Sequence, residues 1–153
     1  MAAPSIRIIA TSKAPAATGY RWSKQWMTIE KAQLYLLFFS QAVLVNNQTL
    51  YVSGQTGMMP GKTDVVSGGA RAEAKQAMTN IGELLTYAGS SFKHGVYQLQ
   101  HHGGQHERLP GRQRNVQELF TADTYPARSF FQVVKLPKNA LVMIDAVAVV
   151  SGQ

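Results

Sequence analysis

Residues Leu141 to Val150 read Leu-Val-Met-Ile-Asp-Ala-Val-Ala-Val-Val, with a single charge, Asp145, in an otherwise apolar run. Its β-branched content favours an extended strand, and a strand this apolar suits the centre of a sheet covered on both faces. A second strand-like run, Ser129 to Lys135, precedes it across the turn residues Leu136-Pro137-Lys138-Asn139. Ala42 to Ser53 adds two more, separated by Asn46 and Asn47, residues that tolerate left-handed turn conformations. That pair predicts a hairpin.

Gly54, Gly57, Pro60 and Gly61 then break the strand pattern and carry the chain across a loop. From Ala70 the period changes: Ala70, Ala74, Ala77, Ile81, Leu84, Leu85 and Ala88 recur at steps of three and four, one face of a helix. Ser67 is the expected N-cap and Gly89 the expected C-terminal stop. Small residues early in the stripe let the helix approach a sheet closely, while Arg71, Glu73, Lys75 and Gln76 are expected to face water. The parts predict an α+β domain, a mixed sheet backed by helices.

A chain of 153 residues suffices for one domain with one core, here residues 1–153. It has no cysteine, which excludes disulfides, thiolate metal sites and cysteine nucleophiles. The formal charge is +7, but the basic residues are scattered without interleaved aromatics. That favours attraction of small anions over specific nucleic-acid binding. The start, Met-Ala-Ala-Pro-Ser-Ile-Arg-Ile-Ile, does not read as a secretory signal, so the expected compartment is the cytoplasm, with the mitochondrion as the alternative.

Several segments carry a resemblance: Ala14-Pro15-Ala16-Ala17, Leu50-Tyr-Val-Ser-Gly-Gln-Thr-Gly57, Leu85-Thr-Tyr-Ala-Gly89, Tyr125-Pro-Ala-Arg-Ser129 and Leu136-Pro137-Lys138. In that order they resemble the RidA/YjgF-type reactive intermediate deaminases. The resemblance implies a chorismate-mutase-like fold, a mixed β-sheet with two helices on one face, assembled as a homotrimer with ligand clefts between subunits. It implies hydrolysis of reactive 2-imino acids (2-iminobutanoate, 2-iminopropanoate) to 2-keto acids and ammonia, with no cofactor. By that resemblance Arg128 takes the role of the arginine that forks onto the substrate carboxylate, Ser53 and Gly54 line the cleft with backbone, and Phe38-Phe39 stands where the family has a Pro-Tyr pair, which puts Phe39 at the substrate. Without a histidine base arguable near it, Ser53 is not read as a nucleophile.

Three departures from the family pattern bear on activity. Residues 20–39 split the expected Gly-Pro-Tyr-Ser-Gln-Ala segment, which resumes at Ser40-Gln41-Ala42. Trp22, Trp26, Ile29 and Leu36 form a potential helical apolar face, and Leu34 to Phe39 is apolar throughout, yet a membrane span needs roughly 20 such residues. No membrane span is expected. The codons open to Gly19-Tyr20 admit a splice donor, and those of Phe38-Phe39-Ser40 a pyrimidine tract ending in AG, so the block reads as a retained intron.

The second departure lies within residues 94–119. Read one nucleotide downstream, codons available to His101–Leu119 permit Thr-Thr-Val-Val-Asn-Thr-Asn-Asp-Phe-Pro-Ala-Val-Asn-Glu-Thr-Tyr-Lys-Asn-Tyr, the family's strand-to-helix segment, so the stretch reads as frame-shifted. As it stands it mis-specifies the second helix and puts Gln113 where a ligand-binding asparagine is expected. Its histidines, His101, His102 and His106, match no standard ligand spacing, so no metal is expected. Third, Met143 occupies the position of a water-handling glutamate, and a thioether transfers no proton; Asp145 shares its face. The expected function is thus imine hydrolysis, impaired, with a non-catalytic carboxylate-binding module as the alternative and an endoribonuclease or translation inhibitor as a third reading.

Overall fold

The computed structural model describes residues 6–9, 40–93, 95–103, 120 and 125–150. Six strands form one sheet: β1 (Ile6–Ile9), β2 (Ala42–Val45), β3 (Thr49–Thr56), β4 (Val96–Gly103), β5 (Ala127–Gln132) and β6 (Val142–Val149), with helix α1 (Gly69–Tyr87) between β3 and β4. Their spatial order is β1-β2-β3-β6-β4-β5. Every neighbouring pair is antiparallel except β4 and β5, which run parallel. The architecture is the expected α+β sheet backed by a helix, which packs over β3 and β6. The expected second helix falls in residues 104–119, outside the described residues.

The hairpin forms where the asparagines predict it. Asn46 and Asn47 have φ of 54° and 55°, and the Gln48 N–H donates to the Val45 carbonyl at 3.0 Å. Two successive left-handed residues match the right-handed twist of the flanking strands.

Helix α1 buries the predicted stripe, Ala70, Ala74, Ala77, Ile81, Leu84 and Leu85, together with Met78. Against it stand Leu50, Leu99, Ile144 and other core side chains of the sheet, all but closed to solvent. Each such leucine or isoleucine contributes about 1.5–3 kcal/mol through removal from water. The helix ends as expected: Gly89 has φ 81°, its N–H reaches the Thr86 carbonyl at 3.1 Å, and Ser90 N–H reaches Leu85 at 2.8 Å. That pair of bonds satisfies carbonyls of the last turn.

Two expectations for α1 are corrected. Its N-cap is Gly68 rather than Ser67, with φ 112° and no side-chain capping bond, because two successive left-handed glycines, Gly68 and Gly69, bring the backbone in without a hydroxyl. Glu73, expected in water, is 3% exposed, and its Oε2 accepts the Leu141 N–H at 2.7 Å. The loop after β3 presses on the helix there: a Cβ at Gly57 would stand 2.6 Å from Glu73 Cα. Asn80 Nδ2 ties the same loop down by donating to the carbonyls of Thr56 (3.1 Å) and Met58 (2.9 Å).

Strand β6 is central, as its sequence predicts, but its two faces differ. Val142, Ile144, Ala146 and Ala148 are buried under α1, whereas Met143, Asp145 and Val147 are half-buried and Val149 is exposed. Cover on both faces is therefore not achieved within the described residues of one chain, since α1 lies on one side only.

Candidate functional site

Edge strand β5 carries Arg128, which pairs with the fully buried Leu99 of β4 and so projects from the helix side of the sheet. Its guanidinium carbon lies 5.5 Å from the centroid of Phe130, which stacks on His101 at 5.1 Å and 12°. Nε and Nη2 of Arg128 are shut off from solvent and have no hydrogen-bond partner among the described residues. Burial pushes the guanidinium below its ordinary pKa. Phe130 offers the cation a ring face but no acceptor. An anion with two acceptor oxygens would relieve both deficits with parallel charge-assisted bonds.

Ser53 and Gly54 lie on β3 where the pairing with β6 slips, from Val52 opposite Ala146 to Gln55 opposite Ile144. Irregularities of this kind re-aim the chain beside functional sites. The Ser53 hydroxyl donates to the Ser40 carbonyl at 2.6 Å and its N–H to the Gln41 carbonyl at 2.9 Å. Both polar groups fasten the chain near the start of β2. Gly54 has Met143 directly above it: an added Cβ would stand 2.7 Å from the Met143 sulfur. The thioether thus adjoins the predicted cleft glycine.

The histidine-rich block resolves in part. Its first two histidines stand on β4 and, as neighbours in a strand, point to opposite faces. His101 is 1% exposed and lies on the core side against Phe130. His102 lies on the helix-free face, opposite Met143, with Nε2 2.9 Å from Asp145 Oδ2 and its ring stacked on Phe131 at 5.8 Å and 22°. Adjacent histidines that diverge cannot share a metal, and the described residues hold no cluster of three or more potential ligands. No residue pattern signals the His102–Asp145 pair, because only the β4–β6 register brings the two together.

Arg128 and the group formed by Gly54, Met143, His102 and Asp145 occupy opposite faces of one sheet, so a single chain does not bring them together. Phe39, Tyr20, Gln113 and His106 lie outside the described residues.

Comparison with known proteins gives this arrangement a context. Residues 32–150 match the family model described as endoribonuclease L-PSP. The goat protein named 2-iminobutanoate/2-iminopropanoate deaminase is 39% identical over 143 residues, covering 94% of this chain and 89% of the relative. The human protein of the same name is 36% identical over the same span. Among solved structures, RidA from an Antarctic Psychrobacter superposes with TM-score 0.74 at 29% identity, covering 94% of this chain and 99% of that one. The Escherichia coli protein TdcF, solved with bound serine, superposes at 0.73 with 23% identity over 95% and 99% of the two chains, a likeness of fold. A match that runs from before β2 to beyond β6, with such identity along nearly the whole length, places this chain in the endoribonuclease L-PSP family, the RidA/YjgF proteins.

Proposed function

We propose that the chain binds a small 2-imino or 2-keto acid through Arg128 and hydrolyses the imine to the keto acid and ammonia, at a rate reduced by Met143. The observation that carries this reading is the Arg128 guanidinium, whose Nε and Nη2 are buried without an acceptor among the described residues. A desolvated cation lacking a partner is costly, and a carboxylate supplies the missing charge and two acceptors at once. The relatives named 2-iminobutanoate/2-iminopropanoate deaminase act, by their names, on substrates with this group. The reaction needs no cofactor, since water is the nucleophile and ammonia the leaving group.

The assembly that suits this reading is a homotrimer whose subunits cover one another's helix-free sheet faces. No helix of the described residues is long and apolar enough to cross a membrane, and cytoplasm or mitochondrion is the compartment we propose. Residues 20–39 are read as an insertion, and the out-of-frame reading of the block within residues 94–119 stands as a proposal about the transcript. Message sequenced across both blocks tests it: spliced or in-frame message supports the proposal, and continuous message encoding them as written refutes it.

A specific observation favours a second reading, a non-catalytic carboxylate-binding module: the thioether at position 143 transfers no proton. One pair of measurements separates the two. Ammonia release is followed from freshly generated 2-iminobutanoate, and thermal stability is followed with 2-ketobutyrate. The deaminase reading expects turnover that Arg128→Ala abolishes and Arg128→Lys, lacking the planar fork, only partly restores. Stabilisation by the keto acid without turnover supports the binding module, and neither effect, or full activity in Arg128→Ala, overturns the role given to Arg128.

A further inference from the structure

We infer that Phe130 is a positioning residue of the carboxylate site, its ring holding the Arg128 guanidinium so that one edge is presented to the ligand. The inference rests on the reading of Arg128 given above. Arg128 and Phe130 stand two residues apart on β5, so their side chains leave the strand on the same face. The guanidinium carbon lies over the Phe130 ring at 5.5 Å from its centroid. That is inside the range of about 6 Å in which a cation is drawn to the negative face of an aromatic ring. Phe131 points to the other face of the sheet and cannot take this part. Both Arg128 and Phe130 lie outside residues 94–119, and the pair is formed within one strand, so it does not draw on how that block is translated.

The nitrogens left without an acceptor show which edge is presented. Nε and Nη2 carry N–H bonds that lie side by side in the guanidinium plane and point the same way, and these are the two buried nitrogens without a partner among the described residues. Together they make the side-on fork that holds one carboxylate through two parallel bonds. An ion-pair partner would occupy that edge. A ring against the face of the group leaves it open.

Two costs of binding fall on this arginine. Its side chain is long and rich in rotamers, and ordering it as the ligand arrives lowers affinity. Burial also penalises its charge, and the attraction of a ring face for a cation is strongest where water is excluded. Phe130 reduces both costs without using a hydrogen bond: it restricts the guanidinium plane beforehand and offsets part of the lost hydration. Leucine at this position keeps apolar bulk without a π face, whereas tyrosine keeps the face.

The experiment uses whole chains of wild type, Phe130→Leu, Phe130→Tyr, Arg128→Lys and the double variant of Arg128→Lys with Phe130→Leu. It measures kcat and KM for ammonia release from 2-iminobutanoate, and the Kd of 2-ketobutyrate from thermal stabilisation. Phe130→Leu is expected to raise KM and Kd about tenfold and to leave kcat within about twofold, because the fork grips the carboxylate alike in ground state and transition state. Phe130→Tyr is expected to restore both constants. In the Arg128→Lys background the same Phe130→Leu change is expected to cost no more than about threefold, since the planar group that stacks on the ring is gone. A ring that served packing alone would lower the melting temperature and the active fraction, and with it the apparent kcat, at unchanged KM and Kd.

KM and Kd of Phe130→Leu within about twofold of wild type overturn the inference. So does a Phe130→Tyr chain as weak as Phe130→Leu, or an undiminished loss in the Arg128→Lys background. The reading of Arg128 survives each of these results if Arg128→Ala abolishes turnover or keto-acid binding. Full activity in Arg128→Ala, or neither turnover nor stabilisation in the wild type, ends that reading and the inference with it. Where the keto acid stabilises without turnover, the same Kd ratios support or overturn the role of Phe130. Should Phe130→Leu lose its cooperative unfolding transition, Phe130→Met, whose flexible side chain adapts to the same space, takes its place with the same expectations.

Discussion

Glu73 illustrates how a single residue is misread from its chemistry and correctly placed by its position. It follows Ala70 by three and precedes Ala77 by four, so helical geometry puts it on the apolar stripe, as it does Asn80 between Ala77 and Leu84. A charged side chain there suggests water; the structure instead spends it on the backbone of the chain leading into β6, where Leu141 N–H has Glu73 Oε2 as its acceptor. Glu73→Ala should cost about 1–3 kcal/mol by stranding that amide, and Glu73→Gln clearly less, because an amide oxygen still accepts. Urea unfolding of the two variants checks the order. Arg128 is the converse case. Pro-Ala-Arg-Ser singles it out in the sequence, but the missing acceptor for Nε and Nη2 among the described residues is a property of packing that no residue pattern encodes.

At the scale of elements, the hairpin, α1 and central β6 were legible because each rests on local rules: paired asparagines, a period of three and four, and an apolar run. The sheet order β3-β6-β4-β5 was not, since the partners are distant in sequence, and with it went the meeting of His102 and Asp145. Packing between elements also separates two glycines of the same loop region that sequence treats alike. A Cβ at Gly57 would meet Glu73 Cα at 2.6 Å, helix backbone that cannot step aside, whereas at Gly54 it would meet the end of the Met143 side chain at 2.7 Å. Gly57→Ala should therefore destabilise by about 1–3 kcal/mol and Gly54→Ala by less, as methionine turns to another rotamer. Equal denaturation midpoints for the two would contradict this account of the loop–helix contact.

For the whole molecule the unresolved physical demand is the helix-free face. Tyr51, Phe131 and Val149 are 51%, 49% and 42% exposed there, beside the half-buried Met143 and Val147. A sheet face that leaves these side chains in water calls for a partner surface, and the homotrimer we propose would supply it from a second and third copy of the same chain. Sedimentation equilibrium should then give three times the 16.7 kDa chain mass. Val147→Asp should shift the population toward monomer, because an unpaired carboxylate in a closing apolar interface must be desolvated. Ligand linkage supplies a second handle on the same assembly. Burial lowers the Arg128 pKa, so keeping the guanidinium charged costs the folded chain stability, and a carboxylate bound there would offset that cost. At a hundredfold excess over its Kd, 2-ketobutyrate should thus stabilise the native protein by about 2.7 kcal/mol. If the site is shared between copies, Val147→Asp should abolish that stabilisation although Arg128 is intact; a monomer that still gained it would place the whole carboxylate site within one chain.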